Sequence, residues 1–545
     1  MNKREVYDLG DKRELFVDDF FIAGLAGDVV KRLHSPEPEN VILTLDEPHE
    51  RSNDAGGAFC SLLYDGRRYI YYYRAHGRFA TPDEPGNSDF YLCAAESTDG
   101  VEFRRCQVNL FPTGYNVVLD SSVTKRFVPE GEPDNCPAVS TAFYDTNPDC
   151  PEDELYKLIV TNERKVYAMY LFVSADGFDF RQKTGPFKLI DRSGYDSPNQ
   201  AFFDHTIGQY RLYHRGYRMG GPTWKRTVMT HLTRDFVTFT DGSWLKFDPD
   251  FDALFSRGQE LYTNAIRPYF RAPHILLGFP MRYIEGCVTP GAHATGKYEA
   301  NFIRFATGDP DAVPGPSEDI WDERVLSRPD LTGRTFRARK QLRYGTAATD
   351  TVLISSRDGF NFHGWGESFL RPGPERDSWF YGAGTVGIGM ARTPAKRGYG
   401  APDELSFYGG EGSWGFGLAR HRRYRLRMDG FVSLHFGIKG GTYLSPKFTF
   451  TGGKLAFNLA TGALGGFRAE LRDETGAPIP GYTFADAHEE IGDDLEMAAR
   501  WKVHGPDLRP LEGRVVQLAV RGCDCDLYSL HFVPWAPDPE LPALR

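Results

Sequence analysis

One turn recurs along this chain and constrains its fold more than any other feature. Four times an apolar strand leads into a Ser or Thr, then an Asp that is usually followed by Gly, then an aromatic. The copies are Ser97-Thr98-Asp99-Gly100-Val101-Glu102-Phe103, Ser174-Ala175-Asp176-Gly177-Phe178-Asp179-Phe180, Thr233-Arg234-Asp235-Phe236-Val237-Thr238-Phe239 and Ser356-Arg357-Asp358-Gly359-Phe360-Asn361-Phe362. Asp-Gly supplies a tight hairpin turn, because Gly reaches positive φ without steric cost and Asp bonds to its own backbone. The aromatic that follows is placed to pack between sheets.

A second element lies upstream of each turn: a polar turn and then an aromatic strand. It runs through Asp65-Gly66-Arg67-Arg68-Tyr69-Ile70-Tyr71-Tyr72-Tyr73, Glu154 to Val160, Gly208 to Tyr213, Pro273 to Phe279 and, a fifth time, Asp403 to Tyr408, followed by a strand pair around Tyr424 to Phe431. Five units, each with room for about four short strands, predict radial repetition of blades. The expected fold is all-β: residues 1–435 form a five-bladed β-propeller, with six blades as the alternative. The early strand Glu14-Leu15-Phe16-Val17 is placed to close the ring by completing the last blade. The fourth unit carries an insertion from Glu285 to Thr349, rich in Gly, Pro and charge, which reads as a loop or lid over one face.

After residue 435 the pattern changes to alternating strands: Lys447-Phe448-Thr449-Phe450, Lys454 to Leu459, Phe467 to Leu471, Val515 to Val520 and Leu527 to Phe532. The turn Asp473-Glu474-Thr475-Gly476 follows the third of them. This spacing predicts a β-sandwich over 436–545. With no exposed aromatic cluster in evidence, a structural buttress is preferred over a carbohydrate-binding module.

Composition narrows the partners. Net charge is −10, with no basic run and no aromatic-interleaved basic stripe. That argues against nucleic acid and against an anionic membrane surface, while single Arg residues remain able to bind an anionic sugar. The aromatic content, 14%, suits packing on sugar C–H faces, although aromatics favour strands in any case. Residues 1–21 lack the apolar core of a signal peptide, and no stretch approaches the length of a transmembrane helix, so a cytoplasmic protein is expected. The eight Cys lack C-x-x-C spacing, and Cys523-Asp524-Cys525 is too tight for a disulfide or a zinc knuckle. All eight read as free thiols.

In a propeller the innermost strands send side chains into one central funnel, so acids far apart in sequence can converge. Glycoside cleavage needs such convergence, one carboxylic acid to protonate the leaving oxygen and one carboxylate as nucleophile or base. Acids just before a unit's first strand are Asp54 in Ser52-Asn53-Asp54-Ala55, Asp196 in Tyr195-Asp196-Ser197-Pro198-Asn199, and Glu260 in Glu260-Leu261-Tyr262-Thr263-Asn264. Each alone is more often a turn residue; the equivalent placement of three is the signal. Asn199 and Asn264 follow within a few residues and suit sugar hydroxyls. Asp18 and Asp19 compete with Asp54 but rank below it, and Asp350 precedes a further strand. His214, Arg215, Arg282, Trp379 and Tyr381 lie at similar depth: the two Arg suit a hydroxyl or carboxylate, or tune a neighbouring acid, and the two rings suit stacking or blade packing. No H-x-x-x-H, H-E-x-x-H, G-x-S-x-G, Walker loop or G-x-G-x-x-G before a helix is present. No cofactor is expected; a structural Ca²⁺ in the funnel and a homo-oligomer stay open.

The blade signature S-x-D-G-x-x-F, the count of five and the sandwich that follows resemble the five-bladed propeller glycoside hydrolases, namely the invertase-like β-fructosidases and the arabinanase and xylosidase group. Leu15-Phe16-Val17-Asp18-Asp19, Asp196-Ser197-x-Asn199, Tyr262-Thr263-Asn264-Ala265 and Gly278-Phe279-Pro280 are similar to stretches in bacterial relatives of that superfamily. The resemblance implies Asp54 as nucleophile or base, Asp196 as orienting or pKa-tuning acid and Glu260 as general acid. The chain departs from the pattern in lacking W-M-N-D-P-N-G, R-D-P and E-C motifs, and its second and third acids fall on the third and fourth units rather than the second and third. The implied activity is a glycoside hydrolase acting on a furanoside or similar terminal sugar of an oligosaccharide or glycoside. Its rivals are a non-catalytic sugar-binding propeller, a glycoside phosphorylase with Arg215, Arg267 and Arg282 around phosphate, and a structural or partner-binding propeller.

Overall fold

The computed structural model describes residues 6–50, 59–76, 90–124, 139–162, 168–189, 195–220, 223–284, 347–374, 378–379, 381–398, 400–412 and 419–535. It is all-β, a five-bladed propeller with a C-terminal sandwich. The first blade is built from Cys60–Tyr64, Tyr69–His76, Phe90–Ser97 and Arg104–Arg105, and the second from Thr141–Tyr144, Tyr156–Asn162, Ala168–Ser174 and Arg181–Phe187. The third holds Gln200–Asp204, Gln209–Gly220, Thr223–Thr233 and Ser243–Trp244. The fourth is split: Arg267–Tyr269, Ala272–Gly278, Ile354–Ser356 and Asn361–Gly364 form its main sheet with Lys246–Phe247, and a smaller sheet joins Glu260–Leu261, Met281–Ile284 and Ala348–Thr351. The fifth holds Ala391–Thr393, Glu404–Glu411, Arg420–Arg427 and Glu37–Thr44.

The outer strand of the fifth blade corrects one expectation. Glu37–Thr44, not the segment at Glu14, pairs antiparallel with Arg420–Arg427; Glu14–Leu15 pairs instead with Ser529 and Leu530 of the C-terminal sheet. The fifth blade also touches the first, where Leu62 N donates to the Ile388 carbonyl at 2.8 Å and Ile388 N to the Cys60 carbonyl at 2.9 Å. The insertion read as a lid lies outside the described residues over 285–346.

The recurring turn holds itself together in the same way each time. Ser174 Oγ accepts from the backbone N–H groups of Asp176 and Gly177, and Asp176 Oδ1 accepts from those of Phe178 and Asp179, at 2.8–3.2 Å. Ser97/Asp99, Thr233/Asp235 and Ser356/Asp358 repeat the pattern. A blade-to-blade latch is added to it. Tyr72 of the first blade donates its hydroxyl to the Gly177 carbonyl of the second at 2.7 Å, Tyr213 of the third to Gly359 of the fourth at 3.0 Å, and Tyr408 of the fifth to Gly100 of the first at 2.5 Å. The second blade has Ile159 at the position of Tyr72, three residues past the partner of the turn Ser. The turn that faces it, in the third blade, is the one that replaces Gly by Phe236, at φ 54°. The glycine is required where a tyrosine arrives: a Cβ on Gly177 would lie 3.0 Å from the Tyr72 hydroxyl and 2.9 Å from the Tyr156 ring. Phe236, freed of that contact, packs on Tyr210 and Phe143.

The sandwich is made from three long strands, Val432–Phe450, Lys454–Arg472 and Val516–Val533, with Asp493–Ala498 at one edge. Three N-terminal strands join it: Tyr7–Gly10 runs parallel to Phe448–Phe450, Gly24–Leu33 pairs with Val432–Leu444, and Glu14–Leu15 pairs as above. The start of the chain, expected within the propeller, therefore belongs to this sheet. The register breaks between Phe436 and Gly441 and between Thr461 and Gly466, which bends the strands. Gly441 fits the bend because a Cβ there would lie 2.6 Å from the Ala26 carbonyl oxygen. Phe448, Phe457, Phe467, Trp501 and Leu530 form one continuous core with Tyr269, Phe279, Phe369 and Phe407 of the last two blades. The sheet thus buttresses the propeller. Among the described residues Cys60, Cys93, Cys106 and Cys525 are buried thiols, and Cys150 and Cys523 are half-buried and free.

Candidate functional site

The inner strands are knitted at the end where they begin. Ala142 N donates to Ser61 Oγ at 3.0 Å, joining the second blade to the first. Thr141 Oγ1 donates to the Asn199 carbonyl and Gln200 Nε2 to the Ile266 carbonyl, joining the second blade to the third and the third to the fourth. Arg267, on the inner strand of the fourth blade, reaches the Ala142 carbonyl of the second at 2.7 Å. Burial pulls its pKa down to about 10, and no carboxylate among the described residues pairs with it.

Asp196 sits just before the inner strand of the third blade, 37% exposed at its side chain and ion-paired with Arg215. The Arg215 guanidinium lies 5.3 Å from the Tyr262 ring centre, and Arg226 lies 5.1 Å from the same ring. Arg226 in turn holds Glu260: Oε2 accepts from Arg226 Nη1 at 2.6 Å and from its backbone N at 3.1 Å, and Lys225 Nζ stands 3.7 Å from Oε1. The two predicted carboxylates are thus linked through one tyrosine and two arginines. Glu260 is an acceptor between two cations, whereas a general acid must donate a proton.

Around Asp196 several buried polar atoms have no partner among the described residues. Asn199 Nδ2 is bonded to Thr161 Oγ1 and the Tyr195 carbonyl, and Asn264 Nδ2 to the Pro198 carbonyl, yet Oδ1 of both is unpaired. Ser197 Oγ and Gln200 Oε1 are also unpaired. His214 is fully buried and stacks on His231 at 5.0 Å; its Nδ1 bonds to the Arg215 carbonyl at 2.8 Å, which makes Nε2 an acceptor, again with no partner. Burial, then the neighbouring His231, pushes the His214 pKa down to about 3, so the imidazole is neutral. Buried polar groups are nearly always satisfied, so orphans gathered beside one carboxylate mark a place prepared for something that forms hydrogen bonds.

Arg282, Asp350 and Trp379 meet in a cleft of about 710 Å³ on the fourth blade, lined also by Leu254, Arg257, Gln259, Ser368 and Arg371. Arg282 forks onto both oxygens of Asp350, its cross-strand neighbour, and reaches the Gly366 carbonyl at 2.6 Å. Trp379 Nε1 donates to the Gly373 carbonyl at 3.0 Å, which fixes the ring. Tyr381 is buried, packed on Tyr262 and Tyr283 at 5.6 and 5.9 Å. It therefore packs against Tyr262, the ring that Arg215 and Arg226 also face.

Asp54 lies outside the described residues. Asp18 and Asp19 are away from the funnel, Asp18 paired with Arg357 and Asp19 with Lys31. His49, Glu50 and Cys93 form a buried group with ligand-type atoms within 4.8 Å of one another, but Glu50 already accepts from Tyr73, Asn116 and Arg105, which reads as a closed structural network. The sequence reading missed Arg226, Lys225 and Gln259. Their only local signal is position, two cations on the strand that follows Arg215 and an amide beside Glu260; the partner of the two cations, Glu260, comes from another strand.

No family model and no curated protein matches the chain. Solved structures similar to it include RS223 β-xylosidase (11% identity, 71% of this chain and 97% of that one, TM-score 0.38). Others are an endo-arabinase from Bacteroides thetaiotaomicron (10%, 72% and 98%, 0.36) and an exo-β-1,3-galactanase from Phanerochaete chrysosporium (9%, 92% and 100%, 0.34). Likenesses of this size carry no residue role and no activity to this chain, which is described by its own geometry: a five-bladed propeller whose inner strands present Asp196 among unpaired polar atoms.

Proposed function

We propose that the protein is a glycoside hydrolase that cleaves a terminal sugar, with Asp196 as one of its reacting carboxylates. The observation that carries the reading is the set of unpaired atoms around Asp196, on Ser197, Asn199, Gln200, His214 and Asn264. A sugar offers several hydroxyls at fixed angles, each able to donate and accept, and acceptors such as His214 Nε2 and the two Asn Oδ1 atoms suit them. Glycoside cleavage uses a second carboxyl group across the bond. Asp54, at the corresponding place before the first blade's inner strand, is the proposed partner, and Glu260 is assigned to positioning Arg226 over Tyr262. The test is sugar release from nitrophenyl furanosides and pyranosides and from natural oligosaccharides. Turnover on one sugar that falls by ~10³-fold or more in Asp196→Asn supports the assignment. Turnover unchanged in that variant refutes it.

One observation favours a second reading, phosphorolysis: Arg267 is a guanidinium in the funnel with no carboxylate partner among the described residues, and guanidinium forks suit phosphate. Turnover that requires inorganic phosphate and is lost in Arg267→Gln would select it over hydrolysis.

A further inference from the structure

The cleft on the fourth blade combines positive charge with a tryptophan face. Among the described residues its lining holds three guanidiniums, Arg257, Arg282 and Arg371, and one carboxylate, Asp350, in a chain whose net charge is −10. Arg282 and Asp350 neutralise each other. Arg257 and Arg371 are exposed at the cleft and pair with no acid among the described residues. Exposed arginines alone would be an ordinary solvated face. The second observation is Gln259: it lines the same cleft, the residue is 2% exposed, and neither Oε1 nor Nε2 has a partner among the described residues. Ser368 Oγ, also on the lining, is buried and unpaired too. A buried amide with both ends unbonded costs stability unless a ligand or solvent meets it.

We propose that this cleft is a subsite for an acidic saccharide, a sugar unit carrying a ring carboxylate. Trp379, fixed through its Nε1, supplies a flat apolar face for the C–H side of a pyranose or furanose ring. Gln259 presents a donor and an acceptor to adjacent hydroxyls, a pairing that a diol matches and a simple anion does not. Arg371 and Arg257 receive the carboxylate, whose two oxygens fit the planar fork of a guanidinium. Leu254, Pro372 and Pro374 complete an apolar rim. The inference rests on the carbohydrate reading of the neighbouring cluster and adds the charge of the substrate to it.

The test is calorimetric titration of the full-length protein with trigalacturonate, its methyl ester and a sulfated disaccharide, at low and at high salt. Binding is read without turnover, so failure of this subsite and failure of the hydrolase assignment are separable. Trigalacturonate is expected to bind about tenfold or more tighter than its neutral ester, which is about 1.4 kcal/mol, and the gap is expected to shrink as salt rises. Arg371→Gln, at an exposed position that leaves the fold undisturbed, is expected to remove most of the gap. Gln259→Leu is expected to weaken acid and ester alike, because it meets hydroxyls. Equal affinity for acid and ester, an Arg371→Gln variant that keeps the gap, or tighter binding of the sulfated sugar than of the uronate would each overturn the proposal.

Discussion

Replacing Glu260 by Gln separates an anchor from a general acid, because the two roles predict opposite effects on stability. Glu260 is 4% exposed, while its partners Arg226 and Lys225 are about a fifth exposed at their side chains. Burial opposes the charge on Arg226, but Tyr262 and Glu260 more than offset it and hold the guanidinium above its ordinary pKa. Breaking a fully buried pair costs about 3–5 kcal/mol. The partners here are partly hydrated and Gln keeps one acceptor, so the expected loss is about 2 kcal/mol. With an unfolding entropy of roughly 2.1 cal/mol/K per residue over a cooperative unit of roughly 400 residues, that lowers Tm by about 2 °C. Arg226→Met should lose a similar amount, and the double variant should lose less than the sum by about 1–2 kcal/mol. A general acid would instead be protonated at working pH, and Gln would replace it at no cost in stability. The measurement is thermal unfolding at pH 7 by calorimetry beside a turnover assay. A Glu260→Gln variant that melts with the wild type and has lost all turnover would refute the anchor role.

Two further perturbations test the frame. Gly177→Ala places a Cβ 2.9 Å from the Tyr156 ring at φ 85°, adding a left-handed penalty of about 1–2 kcal/mol to overpacking of about 1–3 kcal/mol; urea unfolding should show the loss, and Tyr72→Phe in the same chain should return part of it by removing the hydroxyl 3.0 Å away. His214 and His421 are both fully buried, with pKa values pushed down by burial to about 3 and about 4. A His held below its unfolded value of about 6.5 favours folding above that pH and loses the contribution as pH falls toward the folded value, so each should cost on the order of 2 kcal/mol by pH 5. Stability measured between pH 7 and 5 should fall steeply in the wild type and less steeply in His214→Phe.

The turn was legible because it is local. Ser174 and Asp176 close their bonds within five residues, and the same spacing four times over announces the blades. The closing strand was not legible for the opposite reason. Glu37-Pro38-Glu39-Asn40 reads as a polar loop, and it becomes a strand because Arg425 pairs with Glu37 and Glu39, and Arg423 bonds to Asn40, nearly four hundred residues away. Glu14-Leu15-Phe16-Val17 has the more strand-like sequence, but Glu14 and Leu15 pair with Leu530 and Ser529 of the sandwich, while Arg357 in the fourth blade's turn holds Glu14 and Asp18 from the other side. The site divides along the same line. Arg282, Asp350 and Trp379 were expected beside the funnel acids, whereas they line a cleft whose lining includes neither Asp196 nor Glu260. What Glu260 does depends on Arg226, which nothing in its own neighbourhood announces.

The distribution of satisfied and unsatisfied groups argues for function independently of any likeness. At the repeated turns the Ser or Thr oxygen, the Asp oxygen and the following N–H groups are bonded, and three of the turn carbonyls take a tyrosine from the neighbouring blade. Such consistency is what a sequence under pressure to fold produces. The same chain leaves Ser197, Asn199, Gln200, His214 and Asn264 each with an unpaired buried atom beside Asp196. A sequence that satisfies every turn has no difficulty filling a hole with Val or Leu. Retaining five polar side chains there sacrifices stability, and a ligand rich in hydroxyls is the kind of partner that restores the missing bonds.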